Sequence, residues 1–237
     1  MPVNYKQIVV LTGAGVSAES GLPTYRGAGG LWTQGDTAEV SQAEIVIKNP
    51  ARMWEFFGGL RPKILEAQPN AAHRALAEFE AGLPADVRFL LITQNIDGLH
   101  QRAGSKNVGE FHGSLFRTRC SDPRCTLVPF VDENTCASGV PKCEKCGSVL
   151  RPDVVLFGEM IPVEAEHKTK RALRDCDLFI AIGTSGTVSP ASEFVRAAKY
   201  AGARTIFVNM EQVQNDAFDV QKIGPAGMML PEVLKAL

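Results

Sequence analysis

The chain has 237 residues, 45% of them hydrophobic, with 25 basic and 26 acidic side chains and a formal charge of −1. That length holds one large domain or a domain with a smaller insertion. So even a charge balance excludes nucleic-acid or membrane binding through bulk electrostatics, and the lack of any apolar run of about eighteen residues leaves no transmembrane helix to expect.

The opening "MPVNYKQIVVLTGAG" has no basic leader, and its apolar run ends in a glycine loop. It reads as a first strand at Ile8–Leu11, not as a signal peptide. A cytoplasmic protein is expected, whose six cysteines are metal ligands or free thiols rather than disulfides. Further apolar runs occur at Phe89–Ile92, Leu178–Ile182 and Thr205–Val208, with Val154–Phe157 as a candidate fifth. The first four lead into the turns "TGAGVS", "TQNIDG", "GTSGT" and "NMEQ". Such runs suit strands buried on both faces of a parallel sheet.

Between them, Ala71–Ala81, Pro190–Ala201 and a short Pro231–Leu237 pattern as helices. Gly82 and Gly202 stand at the ends of the first two. The alternation predicts an α/β fold with a doubly wound parallel sheet, which binds ligands at the carboxyl ends of its strands. Two segments break the pattern: the mostly helical stretch from Leu31 to about Glu80, and the cysteine-bearing Cys120–Cys146. The expected division is a large domain from residues 1–33, 82–117 and 148–237, with a helical module (34–81) and a metal module (118–147) forming a smaller domain.

Four residues separate Cys120 from Cys125, two separate Cys143 from Cys146, and seventeen lie between the pairs. This is zinc-ribbon spacing, predicting one structural zinc. Cys136 is an alternative ligand, and Cys176 reads as a buried thiol. Four thiolates close the coordination sphere, so the metal is not catalytic and leaves no vacancy for His112.

In "GAGVSAESG", Gly13, Gly15 and Ala18 fit a dinucleotide-binding loop whose amides and succeeding helix favour a phosphate. The acidic residue expected about twenty positions later is missing, and "LPTYRGAGGLW" stands instead. A dehydrogenase is therefore not expected; the dinucleotide binds in another pose or is consumed. Gln94, Asn95 and Asp97 in "TQNIDGLH" can face the same crevice, although Asn95 or Asp97 alone fits an Asx turn equally well. Of four histidines, His73 and His167 read as surface residues and His100 as ambiguous. His112, before Gly113 in a non-periodic stretch, suits a general base.

Taken together and in order, "GAGVSAESGLPTYRG", "TQNIDGLH", "FHGS", the two cysteine pairs, "RPDVVLFGE", "IGTSGTVSP" and "VNME" resemble the sirtuins, NAD-dependent protein lysine deacylases, from about residue 5 onward. The resemblance implies a Rossmann-like large domain and a small zinc-plus-helix domain, with NAD and an acyl-lysine peptide entering the cleft between them. It implies attack of the acyl oxygen on the nicotinamide ribose, loss of nicotinamide, and a general base at His112 acting on a ribose hydroxyl. The products are free lysine, nicotinamide and O-acyl-ADP-ribose. Asn95 and Asp97 match positions that organise the ribose and nicotinamide pocket, and Gln94 one that contacts the ribose. Gly13, Ala14, Gly15 and Ser17 match the phosphate loop, and Thr24, Tyr25, Arg26, Trp32 and Ile96 the loops around the NAD site. Gly183, Thr184 and Ser185 match another NAD turn; Asn209, Met210 and Glu211 match the adenosine edge, and Ala226 a backbone contact to adenine. Val155, Phe157, Gly158 and Glu159 match the segment that pairs with substrate backbone, implying acyl-lysine proteins or peptides bound by strand addition. A monomer is expected, with no nucleic-acid or membrane partner.

"RGAGGLW" resembles the sirtuin branch that includes desuccinylases, whose Tyr-x-x-Arg pair binds an acidic acyl chain. In "WEFFGGLRP" those places hold Phe57 and Leu60, and Arg61 falls one residue off, about 100° around a helix. This predicts an apolar acyl pocket that prefers acetyl or longer apolar groups to succinyl, unless Arg61 takes the missing arginine's part. The rival readings are a mono-ADP-ribosyltransferase using the same NAD site and a non-catalytic NAD or zinc interaction module.

Overall fold

The apolar runs form strands in a computed structural model that describes residues 4–24, 30, 37–133 and 139–237. Tyr25, Arg26, Trp32 and Cys136 lie outside the described residues. In chain order the strands are β1 (Gln7–Thr12), β2 (Arg88–Thr93), β3 (Val108–Glu110), β4 (Gly113–Cys120), β5 (Phe130–Val131), β6 (Leu150–Val154), β7 (Leu178–Ile182), β8 (Arg204–Asn209) and β9 (Val220–Ile223). The helices are α1 (Thr37–Val40), α2 (Ile45–Lys48), α3 (Pro50–Glu66), α4 (Ala71–Ala81), α5 (Leu99–Ala103), α6 (Val163–Arg174), α7 (Phe194–Tyr200) and α8 (Ala226–Lys235).

Six strands make one parallel sheet in the order β3-β2-β1-β7-β8-β9. Alternate residues of each strand serve opposite faces, as the pleat requires. Val9, Leu11, Phe179 and Phe207 pack with Leu173 of α6 and Phe194 and Val195 of α7. Ile8, Val10, Leu91 and Ile180 pack with Ala72 and Leu76 of α4 and Leu230 and Val233 of α8. The sheet is thus doubly wound, as expected. Thr12 lies opposite both Thr93 and Ile182, and Ile182 opposite Val208. The central strands therefore end level, and the turns at their carboxyl ends share one rim.

The smaller unit is an antiparallel sheet, β5-β4-β6, with one apolar cluster joining Met53, Trp54, Phe57 and Ile64 of α3 to Leu115, Val154 and Leu156.

Several expectations change. Helix α4 does not belong to the small domain: it starts on an Asn70 cap and lays Ala72 and Leu76 on the large sheet. The small sheet already begins at Gly113 and includes β6, so the expected boundaries at 117 and 148 cut through it. Val154–Phe157 is not a fifth parallel strand; Val154 closes an antiparallel one, and Phe157 makes a single bridge to Gln42. Its apolar character comes from burying Val154 and Leu156 against α3. The last helix starts five residues early, at Ala226, with Pro231 inside it. Pro190–Ala201 divides into a 3-10 turn, Ala191–Glu193, and α7. Among the described residues no helix is long and apolar enough to cross a membrane.

Candidate active site and metal centre

The glycine loop is built first as a joint between strands. Gly13 N–H donates to Ile182 O at 3.0 Å and Gly15 N–H to Gly183 O at 2.8 Å. A Cβ on Gly15 would stand 2.8 Å from the Gly183 Cα, and one on Gly183 would stand 2.3 Å from the Val16 nitrogen. These glycines let the β1 and β7 turns interlock, and two amides expected to face a phosphate are engaged within the protein. The loop continues as a 3-10 helix, Ala14–Ser20, and Ala18 is exposed on the cleft rather than packed beneath a helix.

Behind the loop is a buried polar network. Ser17 Oγ donates to Asp97 Oδ2 at 2.7 Å and accepts from Asn95 Nδ2 at 3.0 Å. Asn95 also donates to Gly13 O at 3.2 Å, and Asp97 Oδ1 accepts the Leu99 amide at 2.9 Å. The Asx-turn reading of Asp97 is therefore met by one carboxylate oxygen while the other holds Ser17. Burial raises the Asp97 carboxyl above its ordinary range, opposed by the Leu99 and Ser17 hydrogen bonds.

His73 is fully buried, not a surface residue. Its Nδ1 accepts the Asn70 amide at 3.3 Å in a capping box, so Nε2 carries the proton and faces Ser17 Oγ at 3.4 Å. Burial pushes its pKa down to about 4. His100, buried beside it with ring centroids 4.7 Å apart, pairs through Nε2 with Thr12 Oγ1 at 3.0 Å, and Thr12 donates to Thr93 at 2.9 Å. Burial holds His100 well below the usual imidazole range. His167 is exposed, as expected.

His112 stands apart from this network, two residues after β3. Its Nδ1 lies 3.0 Å from Gln94 O. A carbonyl can only accept, so Nδ1 carries the hydrogen and Nε2 keeps its lone pair. Burial lowers its pKa, outweighing the Gln94 hydrogen bond, so the ring is neutral and basic at Nε2 near pH 7. Gly113 comes next at φ +79°, where an added Cβ would sit 2.0 Å from Asp153 O. The histidine is thus set by a turn that closes tightly on β6.

A cleft of about 770 Å³ joins these parts. Gly13, Ala14, Gly15, Thr24, Gln94, Asn95, Ile96, Gly183, Thr184, Ser185, Asn209, Met210 and Glu211 line it on the sheet side. His112, Val155, Phe157, Gly158, Glu159 and Phe57 line it toward the small domain. Gln94 Nε2 donates to Thr184 Oγ1 at 3.1 Å, tying two rim turns together. A second cavity of about 50 Å³ is lined by Ser17, Asn95, Asp97 and Leu60, so Leu60 and Phe57 face different spaces. Ala226 lines neither; its side chain is in the core at the start of α8.

Arg61 is fully buried in the small domain. It donates to Leu115 O at 3.0 Å, pairs with Asp132 at 3.1 Å, and its Cζ lies 5.4 Å from the Trp54 ring centroid. Its guanidinium is thus engaged within the small domain.

Cys120, Cys125, Cys143 and Cys146 bring their sulfurs within 4.8 Å of one another. Cys120–Cys146 and Cys125–Cys143 Sγ separations are 3.4 and 3.6 Å. Tetrahedral zinc with Zn–S bonds of about 2.3 Å sets sulfurs about 3.8 Å apart, so the four thiols fit one structural zinc. Cys176 is a buried thiol elsewhere, as expected.

Sequence reasoning missed His73, His100, Thr12 and Thr93, and the cleft residue Phe56. A signal for His73 was present, since "NAAH" places a side-chain acceptor three residues after an asparagine cap. Thr12 and Thr93 are brought opposite one another by strand register alone.

The Sir2 family profile matches residues 13–190. A protein of Aquifex aeolicus (strain VF5) named NAD-dependent protein deacylase is 46% identical over 205 residues, covering 86% of this chain and 84% of its own length. The mitochondrial NAD-dependent protein deacylase sirtuin-5 of Canis lupus familiaris is 39% identical over 251 residues, covering 97% of this chain and 81% of its own. A solved structure described as a Sir2 homolog–NAD complex superposes with a TM-score of 0.89 at 40% identity, covering 98% of this chain and 90% of that one. One described as Sir2 with p53 peptide and NAD+ does so with a TM-score of 0.85 at 30% identity, covering 98% and 94%.

Proposed function

The chain belongs to the Sir2 family, and from that premise we infer that it is an NAD-dependent protein deacylase. The observation that carries the reading is His112: its tautomer is fixed by Gln94 O, and it lines the cleft between the rim turns and the 154–159 segment. NAD, when bound, supplies a glycosidic carbon with nicotinamide as leaving group. The chain's own residues do the rest. The turns at Gly13–Ser17, Gln94–Asp97, Gly183–Ser185 and Asn209–Glu211 hold the dinucleotide, with Thr24 beside them; Tyr25, Arg26 and Trp32 complete that set. The Ala226 backbone faces the adenine. Asn95 and Asp97, locked through Ser17, order the ribose and nicotinamide end. His112 Nε2 accepts the proton of a ribose hydroxyl. The four cysteines hold a zinc that shapes the small domain and takes no part in the chemistry.

The acyl-lysine peptide adds an extended strand along Val155–Glu159. The acyl group meets Phe57, with Leu60 at the neighbouring small cavity, and both are apolar. With Arg61 engaged by Leu115 and Asp132 and Arg52 paired with Glu55, both guanidinium groups of α3 already have partners, so acetyl and longer apolar chains are preferred to succinyl. The protein acts as a monomer in the cytoplasm. An acyl panel with mass spectrometry of the products tests this. Free lysine and O-acyl-ADP-ribose, fastest from acetyl or longer apolar groups, are expected. ADP-ribosylated protein would instead establish the transferase reading, and efficient desuccinylation would overturn the pocket assignment. No nicotinamide release with any acyl peptide would favour a non-catalytic module.

A further inference from the structure

One buried charge takes no part in the acyl-transfer chemistry. Arg151, 3% exposed, reaches the Glu159 carboxylate with both terminal nitrogens, Nη2 at 3.0 Å, and also donates to Val154 O at 2.8 Å. The same Glu159 oxygen, Oε2, accepts the Leu156 amide at 2.8 Å, and Glu159 N–H returns to Leu156 O at 3.0 Å. Gly158 has φ +89°, the left-handed value that the third position of such a turn needs. Arg119 Nη2 lies 3.6 Å from Glu159 Oε1, the oxygen that Arg151 Nη1 also meets, and Arg119 Nε lies 3.4 Å from Asp153, so charges alternate across this end of the small sheet.

The rest of the segment is fixed by backbone. Val155 N–H donates to His112 O at 2.9 Å, Phe157 N–H to Ser41 O at 2.8 Å, and Ala43 N–H to Phe157 O at 2.9 Å. Among the described residues, the Val155 carbonyl and the Gly158 amide have no protein partner, and both residues line the cleft. An acceptor and a donor held in one conformation are what an extended peptide requires. Their spacing depends on the turn between them, and that turn depends on Glu159, which Arg151 holds from within.

We infer that Arg151 and Glu159 are positioning residues for the acyl-peptide: their buried ion pair clasps the Leu156–Glu159 turn so that Val155 O and Gly158 N–H are presented together. This rests on the reading of the segment as substrate-facing. The clasp touches none of the rim turns that hold NAD, so it acts on one substrate and not the other.

The test varies acetyl-peptide at saturating NAD, then NAD at saturating peptide, in wild type, Glu159→Ala, Glu159→Gln and Arg151→Met. Peptide affinity is measured separately by fluorescence anisotropy, with zinc content and Tm for each variant. In Glu159→Ala and Arg151→Met the peptide KM and Kd are expected to rise about tenfold, the scale of one charge-assisted hydrogen bond, with the NAD KM within about twofold. Glu159→Gln keeps an acceptor for Leu156 N–H and loses only the ion pair, so it falls between. It also serves if Arg151→Met does not fold. An unchanged peptide Kd in zinc-loaded Glu159→Ala would overturn the clasp. So would a joint rise of both KM values with a fall in Tm, which marks a merely structural pair. If wild type binds peptide without releasing nicotinamide, the deacylase reading fails while the Kd series still decides the clasp; if it binds no acyl-peptide, both fail.

Discussion

The six-stranded sheet carries its rim turns on two apolar clusters, one per face, whereas the small domain, among the described residues, has one cluster and completes itself with four cysteines and the buried Arg61. The difference comes from size and layering. A sheet covered on both faces buries enough apolar surface to hold itself. A three-stranded sheet with one covered face does not, and small units of that kind recruit a metal or polar ties. The two sides of the cleft accordingly differ in what they contribute. The large domain contributes the rim turns, and the small-domain side contributes Phe57 and Val155–Glu159.

The largest effect expected to separate the two regions is removal of zinc. Metal binding is worth about 10 kcal/mol in small zinc units, so chelation, or Cys143→Ser, abolishes folding of the small domain. Hydrogen exchange then shows loss of protection in β4–β6 with β1, β2, β7 and β8 still protected. Uniform loss across both regions would show the division to be false. The reverse experiment is His112→Ala, expected to lower turnover about a thousandfold with zinc content and Tm unchanged. Activity near wild type would remove His112 as the base.

Arg61→Met breaks a buried pair and is expected to cost about 3 kcal/mol of stability, read by urea unfolding of the zinc-loaded protein. The acyl preference should not move toward or away from succinyl, because Arg61 serves the small domain's interior and not the pocket.

The smallest effect distinguishes the sides by pH. His73, on the large domain, has its pKa lowered to about 4 from 6.5. The unfolded chain therefore binds a proton more readily, and stability present above about pH 6.5 is lost as pH falls toward 4. The loss is at most about 3 kcal/mol from that shift. His73→Gln should flatten this part of the stability profile relative to wild type; an unchanged difference between pH 6.5 and 4 would show that His73 does not carry it. A separate acid limb in activity, below the usual imidazole range, is expected from His112, whose pKa burial also lowers.

Much of this was legible along the chain. The four central strands, the cysteine pairs and the glycine that ends α4 depend on neighbours within a few positions, so periodicity and spacing reveal them. The separation of His112 from the zinc was legible too, because four thiolates leave no coordination position to fill.

What the sequence by itself determined is therefore the local chemistry: buried strands, glycines at their ends, a closed metal site and a candidate base. What only the tertiary structure decided is which distant groups meet. Strand register sets Thr12 against Thr93 and levels the rim turns. Burial turns His73 from a surface-like residue into a support for Ser17. Packing gives α4 to the large sheet, and Leu115, Thr118 and Asp132 engage Arg61 in the small domain. The physical reason is the same in each case: burial and pairing are properties of contacts between segments remote in the chain, and a one-residue rotation on a helix, invisible to composition, decides which of two neighbours faces a cleft and which faces the core.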